Sequence, residues 1–440
     1  MNALSSPRTA DRGDTTSRAV RRTLLGGVIG SFVEFYEFSV YAVLATTLAV
    51  VFFPAADPTT ALLSTLAVFA VAFFARPLGG FVWGAVGDRI GRKRTLALTV
   101  LLMSVATALM GLLPGYTAIG VAAPVLLIVL RFVQGFSAGG EISGAVSFVA
   151  EHSPDHRRGL YVGMISVGAV VGTLLGSLLP GILLLMLSPA DMQSWGWRIP
   201  MVAALPLGVV GLYIRSRLDE TPHFVALRQQ RAREENPVLA ALRGRRQRRL
   251  LGTAFCIVAV NASSFYMIVG YLPSFASKSL KLTGLQAFAP SVIALAACLV
   301  AEVLGAWWSD RIGRRPVLLG SGVGLLVLSY PSFLLITSGS FALISVGLVV
   351  FGLLAGGYAA VINSALTEMF PTRVRVTGHG ITYNLSVALF GGSAPYLLTW
   401  LGGVTGSGMV GAYYVMILAV VSLPAVLALK ETAGRPLQTG

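Results

Sequence analysis

Apolar runs too long for the core of a soluble domain follow one another along almost the whole chain, and this constrains the fold more than any other feature. A run of about 18 or more residues with few charges is long enough to cross the hydrocarbon of a bilayer as an α-helix. Twelve such runs are expected, at roughly 23–51, 61–86, 95–113, 119–150, 159–187, 199–216, 250–275, 286–308, 316–337, 341–364, 377–402 and 409–429. Composition agrees. Hydrophobic residues are 55% of the chain and charged residues 12%, and the mean hydropathy is +0.78, whereas a soluble domain carries about 25% charge. The chain reads as an all-α membrane protein of twelve transmembrane helices in two six-helix halves. The expected plan is a first half at 1–216, a linker on the membrane surface at 217–249, and a second half at 250–440.

The halves are related to each other. Asp-Arg-Ile-Gly-Arg begins at Asp88 and again at Asp310, 222 residues later in a chain of 440. Ala138-Gly139-Gly140, Glu151 and Pro154 return as Ala355-Gly356-Gly357, Glu368 and Pro371, each 217 residues on. Glu220-Thr221 returns as Glu431-Thr432. Duplication of a membrane-spanning unit is a signature of transporters.

A net charge of +15 might suggest nucleic acid, but the basic residues are dealt out between the apolar runs rather than gathered in one patch. Of the 33 Lys and Arg, 28 fall in the amino tail, alternate loops, the Arg-rich 217–249 stretch and its flank, and the carboxyl tail. The opposite side keeps Arg198, Lys278 and Lys281. This asymmetry predicts cytoplasmic termini, and an even number of spans agrees. The first run is too long for a signal-peptide core, so no cleavage is expected. Cys256 and Cys298 fall inside apolar runs and read as small buried side chains, not a disulfide framework. With no P-loop and no metal-spaced His/Cys cluster, the expectation is no cofactor, no metal, and an ion gradient as the energy source.

Six ionisable residues lie inside the runs: Glu34, Glu37, Arg76, Arg131, Glu141 and Glu302. A charge at mid-membrane costs roughly 2.5–3.5 kcal/mol on insertion scales, so each needs a reason. Glu34, Glu37 and Tyr41 share one face of the first run, and Arg131, Gln134, Ala138 and Glu141 share one face of the fourth. Glu34 is about eleven residues in, roughly 16 Å at helical rise, and Arg131 lies at similar depth. Acids on one helix and a guanidinium on another, at matching depth, predict a polar cavity between helices. Four carboxylates face two arginines, so two acids are expected to lack a cation, and such an acid prefers to bind a proton. That is how a proton becomes coupled to another ligand. Asn261, Ser264 and Tyr271 share a face of the seventh run, and His379, Tyr383 and Ser386 one of the eleventh. Gly168, Gly172 and Gly176 read as a packing seam. Gly391-Gly392 and Pro395 mark a place for the eleventh helix to bend.

Three motifs mislead. Gly135-Phe-Ser137-Ala-Gly139 spells a nucleophile elbow, which requires a strand–turn–helix context that an apolar run lacks. Asn261-Ala-Ser and Asn384-Leu-Ser spell glycosylation sites inside apolar runs. No catalytic residue is assigned.

Gly84-x-x-x-Asp88-Arg-x-Gly-Arg92-Lys93, with its echo at Asp310, resembles the signature of the major facilitator superfamily. More narrowly, Glu34-Phe-Tyr-Glu37-Phe, Arg76-Pro-Leu-Gly-Gly, Gln134-Gly-Phe-Ser-Ala-Gly-Gly-Glu141, Trp195-Gly-Trp-Arg-Ile-Pro200 and Asp219-Glu-Thr-Pro are similar to the metabolite:proton symporter family. Two of its branches are echoed. Phe52 to Pro58 and Ala204 to Gly208 resemble the proline/betaine branch, while Tyr383 to Pro395 is more similar to the citrate, shikimate and ketoglutarate branch. The betaine branch tends to carry Lys where this chain has Arg131. No carboxyl-terminal coiled coil is evident, so osmosensing is not carried over. The resemblance implies alternating access and proton symport of a small carboxylate-bearing metabolite, by a monomer in a bacterial inner membrane. Arg131 would bind the carboxylate, with Gln134, Tyr41, Asn261 and Tyr383 around the solute. Glu34, Glu37 or Glu141 would carry the proton. Asp88, Arg92 and Glu151, with Asp310, Arg314 and Glu368, would gate. The alternatives are a drug:proton antiporter, disfavoured because the fifth run has no Pro until Pro180, and an intramembrane serine hydrolase using Ser137 and His379.

Overall fold

A computed structural model describes residues 11–54, 56–90, 92–216, 244–278, 280, 282, 285–372 and 374–438, and the regular structure among them is helical. The candidate spans are α1 (Leu24–Val43 with Ala45–Phe52), α2 (Pro58–Gly84), α3 (Lys93–Leu112), α4 (Ala122–His152), α5 (Asp155–Met186) and α6 (Pro189–Ser216), then α7 (Arg245–Ala276), α8 (Ala289–Ile312), α9 (Arg314–Ile336), α10 (Phe341–Met369), α11 (Arg375–Thr405) and α12 (Val410–Ala428). Eleven qualify as single helices, and the twelfth is the bent pair of α1. The expected straight run at 23–51 is thus broken beside Leu44, where its two parts meet at 62°. The helix leading into α1 begins at Asp11.

Two boundaries differ from the sequence reading. Arg245–Arg249, expected in the linker, form the first turns of α7. Arg is a good helix former, so a basic composition marks solvation without ending a helix. The rest of the linker, 217–243, lies outside the described residues. The sixth span starts at Pro189 rather than 199, through a short helix capped by Ser188 and a π-helical turn, Met192–Gly196.

The surface is apolar, as lipid requires, and the ionisable side chains of the spans are turned into an otherwise mostly apolar interior. Val129, Phe132, Leu304, Trp308 and Val420 are exposed. Glu34, Glu37, Arg76, Arg131, Gln134, Glu141 and Glu302 are each at most 1% exposed. Backbone approach sets the helix positions. Gly168, Gly172 and Gly176 of α5 lie on the α1 backbone, where a Cβ would press on the carbonyl oxygens of Val28 (2.8 Å), Phe32 and Tyr36 (2.5 Å). The Ser39 hydroxyl closes this seam, donating to the Thr173 carbonyl at 3.0 Å and lying 2.8 Å from Ser177 Oγ. A second seam joins α2 to α4, with Gly135 against the Ala72 carbonyl and Gly139 against that of Arg76. In the other half α8 meets α10 the same way, with Gly352 against Ala294 and Gly356 against Cys298. Gly139 and Gly356 are 217 residues apart. The sequence repeat is therefore a repeated packing geometry, with Cys298 where the first half has Arg76.

Candidate functional site

A cavity of about 40 Å³ lies between the halves, with room for a few water molecules. The first half contributes Ser31 and Phe35 from α1, Ile142 from α4 and Ser166 from α5. The second contributes Asn261, Phe265 and Tyr266 from α7, Glu302 from α8, Asn363 from α10 and Tyr383 from α11. Two aromatic contacts join the halves beside it. Phe35 meets Phe265 edge-on at 5.5 Å, and Phe73 meets Tyr266 at 4.8 Å. Asn363 Nδ2 donates across the halves to Ser166 Oγ at 3.1 Å. π-helical turns at Met267–Tyr271 in α7 and Val387–Gly392 in α11 flank this region, and the second includes the expected break at Gly391-Gly392. Such turns rearrange the hydrogen-bond ladder and are frequent at functional sites.

Behind the cavity wall, the first half holds a cluster of buried charges. Arg76 Nη2 and Glu34 Oε1 are 2.8 Å apart, an ion pair that is not aligned as a hydrogen bond. The Arg76 guanidinium also lies over the rings of Phe38 (4.5 Å) and Phe73 (4.9 Å). Glu37 accepts from Ser104 Oγ and Thr107 Oγ1, both at 2.5 Å, and from Gln134 Nε2 at 3.3 Å. Arg131 donates to Gln134 Oε1 (2.5 Å) and to the Phe69 carbonyl (3.2 Å), and stacks on Tyr41 with its guanidinium carbon 4.1 Å from the ring centre. Among the described residues Arg131 makes no ion pair. The Tyr41 hydroxyl donates to the Thr65 carbonyl at 3.1 Å.

Several expected partnerships are corrected by this geometry. Glu141 is held by both terminal nitrogens of Arg215, a residue counted with the basic loop charges in the sequence, which is 1% exposed at the end of α6. Arg215 also donates to the carbonyls of Gly26 and Leu96, and Gly30 leaves the space the pair occupies. Arg215 is thus a buried cation that the balance of two arginines against four carboxylates left out. Of the five expected solute-binding residues, Asn261 and Tyr383 line the cavity. Arg131, Gln134 and Tyr41 do not; they form the cluster around Glu37. Ser264 donates back to the Val260 carbonyl of its own helix. Ser137 likewise donates to Val133, and both ring nitrogens of His379 lack a protein partner, so no nucleophile–base hydrogen bond links them.

The end of the bundle that carries the repeated motif, here the basic face, is tied across the halves. Asp310 accepts the backbone N–H groups of Gly159 and Leu160 at 2.8 Å each, capping the start of α5 from the other half. Within the second half Asp310 also pairs with Arg314 (2.8 Å), and Arg314 with Glu368 (3.0 Å). Glu368 reaches Arg158 at 3.4 Å, and Glu151 pairs with Arg375 at 2.9 Å; both of these pairs cross the halves. Asn384, whose role the sequence did not reveal, donates to the Gly139 carbonyl at 2.7 Å. The side chains of Asp88 and Arg92 lie outside the described residues.

The carboxyl tail joins this network. Glu431, marked in the sequence as one half of a repeat without a role, accepts N–H groups from Arg314, Arg315, Thr432 and Ala433 at 2.9–3.0 Å. Burial pushes its pKa up, but these four donors outweigh that and hold it below the usual 4.5. Gly313, at φ +108°, makes the turn and has no Cβ to block the carboxylate. The hydroxyl of Thr432 donates to Glu368 at 2.5 Å, and the Arg435 carbonyl accepts from Arg158 at 3.0 Å.

Comparison with known proteins agrees with this architecture. The family model of the Major Facilitator Superfamily matches residues 27–395. The chain is 38% identical over 427 residues to the proline/betaine transporter of Escherichia coli (strain K12), covering 95% of this chain and 85% of that one. It is 35% identical over 436 residues to the ectoine/proline transporter of Corynebacterium glutamicum, covering 96% and 86%. The solved proton:xylose symporter XylE, bound to 6-bromo-6-deoxy-D-glucose, superposes with a TM-score of 0.76 at 18% identity, over 96% of this chain and 98% of that one; this shows a shared fold. These relatives are transporters rather than enzymes. The duplicated halves, the cavity between them and the family match lead to one conclusion: the chain is a multi-pass membrane protein of the Major Facilitator Superfamily.

Proposed function

We propose that this protein is a proton-coupled importer of small zwitterionic solutes of the proline or betaine kind, working by alternating access. The observation that carries this reading is the placement of the cavity. It is shared by both halves and lies beneath inter-half contacts made by residues of the repeated motifs. Parting Arg158 from Glu368, Glu151 from Arg375, and Asp310 from the start of α5 opens the basic face without breaking either half. The positive-inside rule puts that face, with both termini, in the cytoplasm of a bacterial inner membrane. The named relatives support the solute class. Each chain holds a complete cavity, which supports a monomer as the transport unit.

The coupling acids are Glu34 and Glu37: among the described residues Glu37 has no ion pair and Glu34 has one that is not aligned as a hydrogen bond, whereas Glu141 is held by both terminal nitrogens of Arg215. A proton on Glu34 removes the charge that holds Arg76. Arg76 lies on Phe73, and Phe73 packs against Tyr266 at the cavity, so the change reaches the solute. The test is uptake of labelled proline and glycine betaine by proteoliposomes with an alkaline interior. The expected result is accumulation that collapses with a protonophore; accumulation driven by a sodium gradient and indifferent to pH refutes the coupling. Glu34→Gln is expected to keep solute exchange across the membrane while losing gradient-driven accumulation.

A further inference from the structure

The intramembrane acids of the first half each lie beside a cation or hydrogen-bond donors, whereas Glu302, at mid-span in the second half, forms no ion pair among the described residues. Glu302 is 1% exposed, lines the cavity, and has a carboxylate oxygen without a protein partner. Cys298 sits one turn earlier on α8, in the place that Arg76 holds in the first half, so the duplication has set no cation beside this acid. The other unmatched oxygens on the cavity wall include Asn261 Oδ1 and Asn363 Oδ1, which are both acceptors. Among the residues lining the cavity, Glu302 is the charged one. Neither Arg76 nor Arg131 lines the cavity, and both guanidinium groups stack on Phe38. An ionised carboxylate buried without a partner is expensive. The acid and these two unpaired acceptors therefore suit a cation.

We propose that Glu302 is the residue that selects the solute by its positive nitrogen. Resting on the transport reading above, this assigns the two ends of a zwitterion. The ammonium group lies against Glu302 and the Asn261 and Asn363 carbonyls, beside the rings of Phe265 and Tyr266, which attract a cation by their faces. The carboxylate takes the hydroxyls of Ser31 and Tyr266, two donors that have no protein partner. Arg131, kept from the cavity by Tyr41 and Gln134, is not the carboxylate site. The organic-acid branch echoed at Tyr383 to Pro395 does not set the solute: a di- or tricarboxylate would meet Glu302 as a like charge.

The test compares solutes that differ only at the nitrogen. Binding of proline and of its carbon analogue cyclopentanecarboxylate, and of glycine betaine and its analogue 3,3-dimethylbutyrate, is measured by calorimetry on the full chain in detergent at pH 7. Wild type is expected to bind each zwitterion at least tenfold more tightly than its analogue. In Glu302→Gln that preference falls to about twofold or less, and Glu302→Asp keeps most of it. A cooperative thermal unfolding transition in detergent shows wild type and each variant to be folded. The proposal is overturned if Glu302→Gln keeps the wild-type preference, or if wild type binds the analogues or citrate as well as the zwitterions. In the latter case, proton-driven uptake of a carboxylate would leave coupled transport standing and remove Glu302 together with the preference for zwitterions. Absence of any gradient-driven uptake by wild type, with zwitterion binding and a cooperative thermal unfolding transition intact, would instead remove the coupling and leave Glu302 in place.

Discussion

Glu368→Gln isolates the contribution of one buried carboxylate to closure of the basic face. Glu368 is 3% exposed and accepts from Arg314, Arg158 and Thr432. Removing one member of a buried pair costs about 3–5 kcal/mol when the other charge is stranded. Neither arginine is stranded here. Arg314 keeps Asp310, and Arg158 keeps Asp155 and the Arg435 carbonyl. The Arg314 contact is also internal to the second half and exists whether the face is open or closed, so it does not shift that equilibrium. What shifts it is the bond to Arg158, which at 3.4 Å is long. A charged hydrogen bond is worth about 1.5–3 kcal/mol, and the length points to the lower end. About 1.4 kcal/mol is a tenfold change in an equilibrium, so the open population rises roughly tenfold. The assay is the labelling rate, from the basic face, of a cysteine placed at Ala169 on the cavity wall, in a chain with Cys256 and Cys298 replaced by serine. Arg158→Gln should raise the rate as much, and the double variant no further than either. A rate within twofold of the parent, or fully additive effects, would refute the reasoning.

Other substitutions test separate parts of the fold. Glu141→Gln leaves Arg215 buried with no carboxylate and is expected to cost about 3–5 kcal/mol, seen as earlier thermal unfolding in detergent. Adding Arg215→Leu should recover most of the loss, and no recovery would show that the two are not a pair. Gly172→Leu drives a side chain into the Phe32 carbonyl and is expected to cost at least about 1–3 kcal/mol from overpacking. Gly320→Ala, where nothing lies within 4 Å, should be neutral or stabilising in the same assay. The docked tail depends on an ionised Glu431, whose pKa is lowered in the folded state. Its contribution is therefore complete above the usual 4.5 and is lost as pH falls through the lower folded value. Hydrogen exchange at the amides of Arg314 and Arg315, corrected for intrinsic rates, should hold steady from pH 7 to about 5 and quicken below 4.5. In Glu431→Gln that quickening should be absent; its persistence would remove Glu431 as the titrating group.

Much of the architecture was legible from residue order. Hydropathy is a property of each segment alone, so the candidate spans followed from composition, eleven as single helices and one as the bent pair of α1. The duplicated Asp310, Arg314 and Glu368 pointed to a charged network at span ends, and the structure shows what each touches. The seam of Gly168, Gly172 and Gly176 was visible as a spacing. Other features left weaker traces. Gly30 and Arg215, far apart in the chain, carry no joint signal, and the bend beside Leu44 has no proline or glycine to announce it. Asn384 looked like half of a glycosylation motif rather than a link between halves.

By itself, the sequence determined that the chain is a multi-pass helical membrane protein with up to twelve candidate spans, that its second half repeats its first, and that charged groups lie within the apolar runs. These follow from length, periodicity and the cost of leaving a backbone or a charge in lipid. Tertiary structure alone decided which acid meets which cation. Glu34 met Arg76, Glu141 met Arg215, Glu37 received three neutral donors, and Glu302 was left facing the cavity. The physical reason is that a buried charge pairs within about 4 Å, while the direction of a side chain depends on how its helix is rotated and tilted. That rotation is set by where backbones can touch, at glycines whose partners lie on other helices.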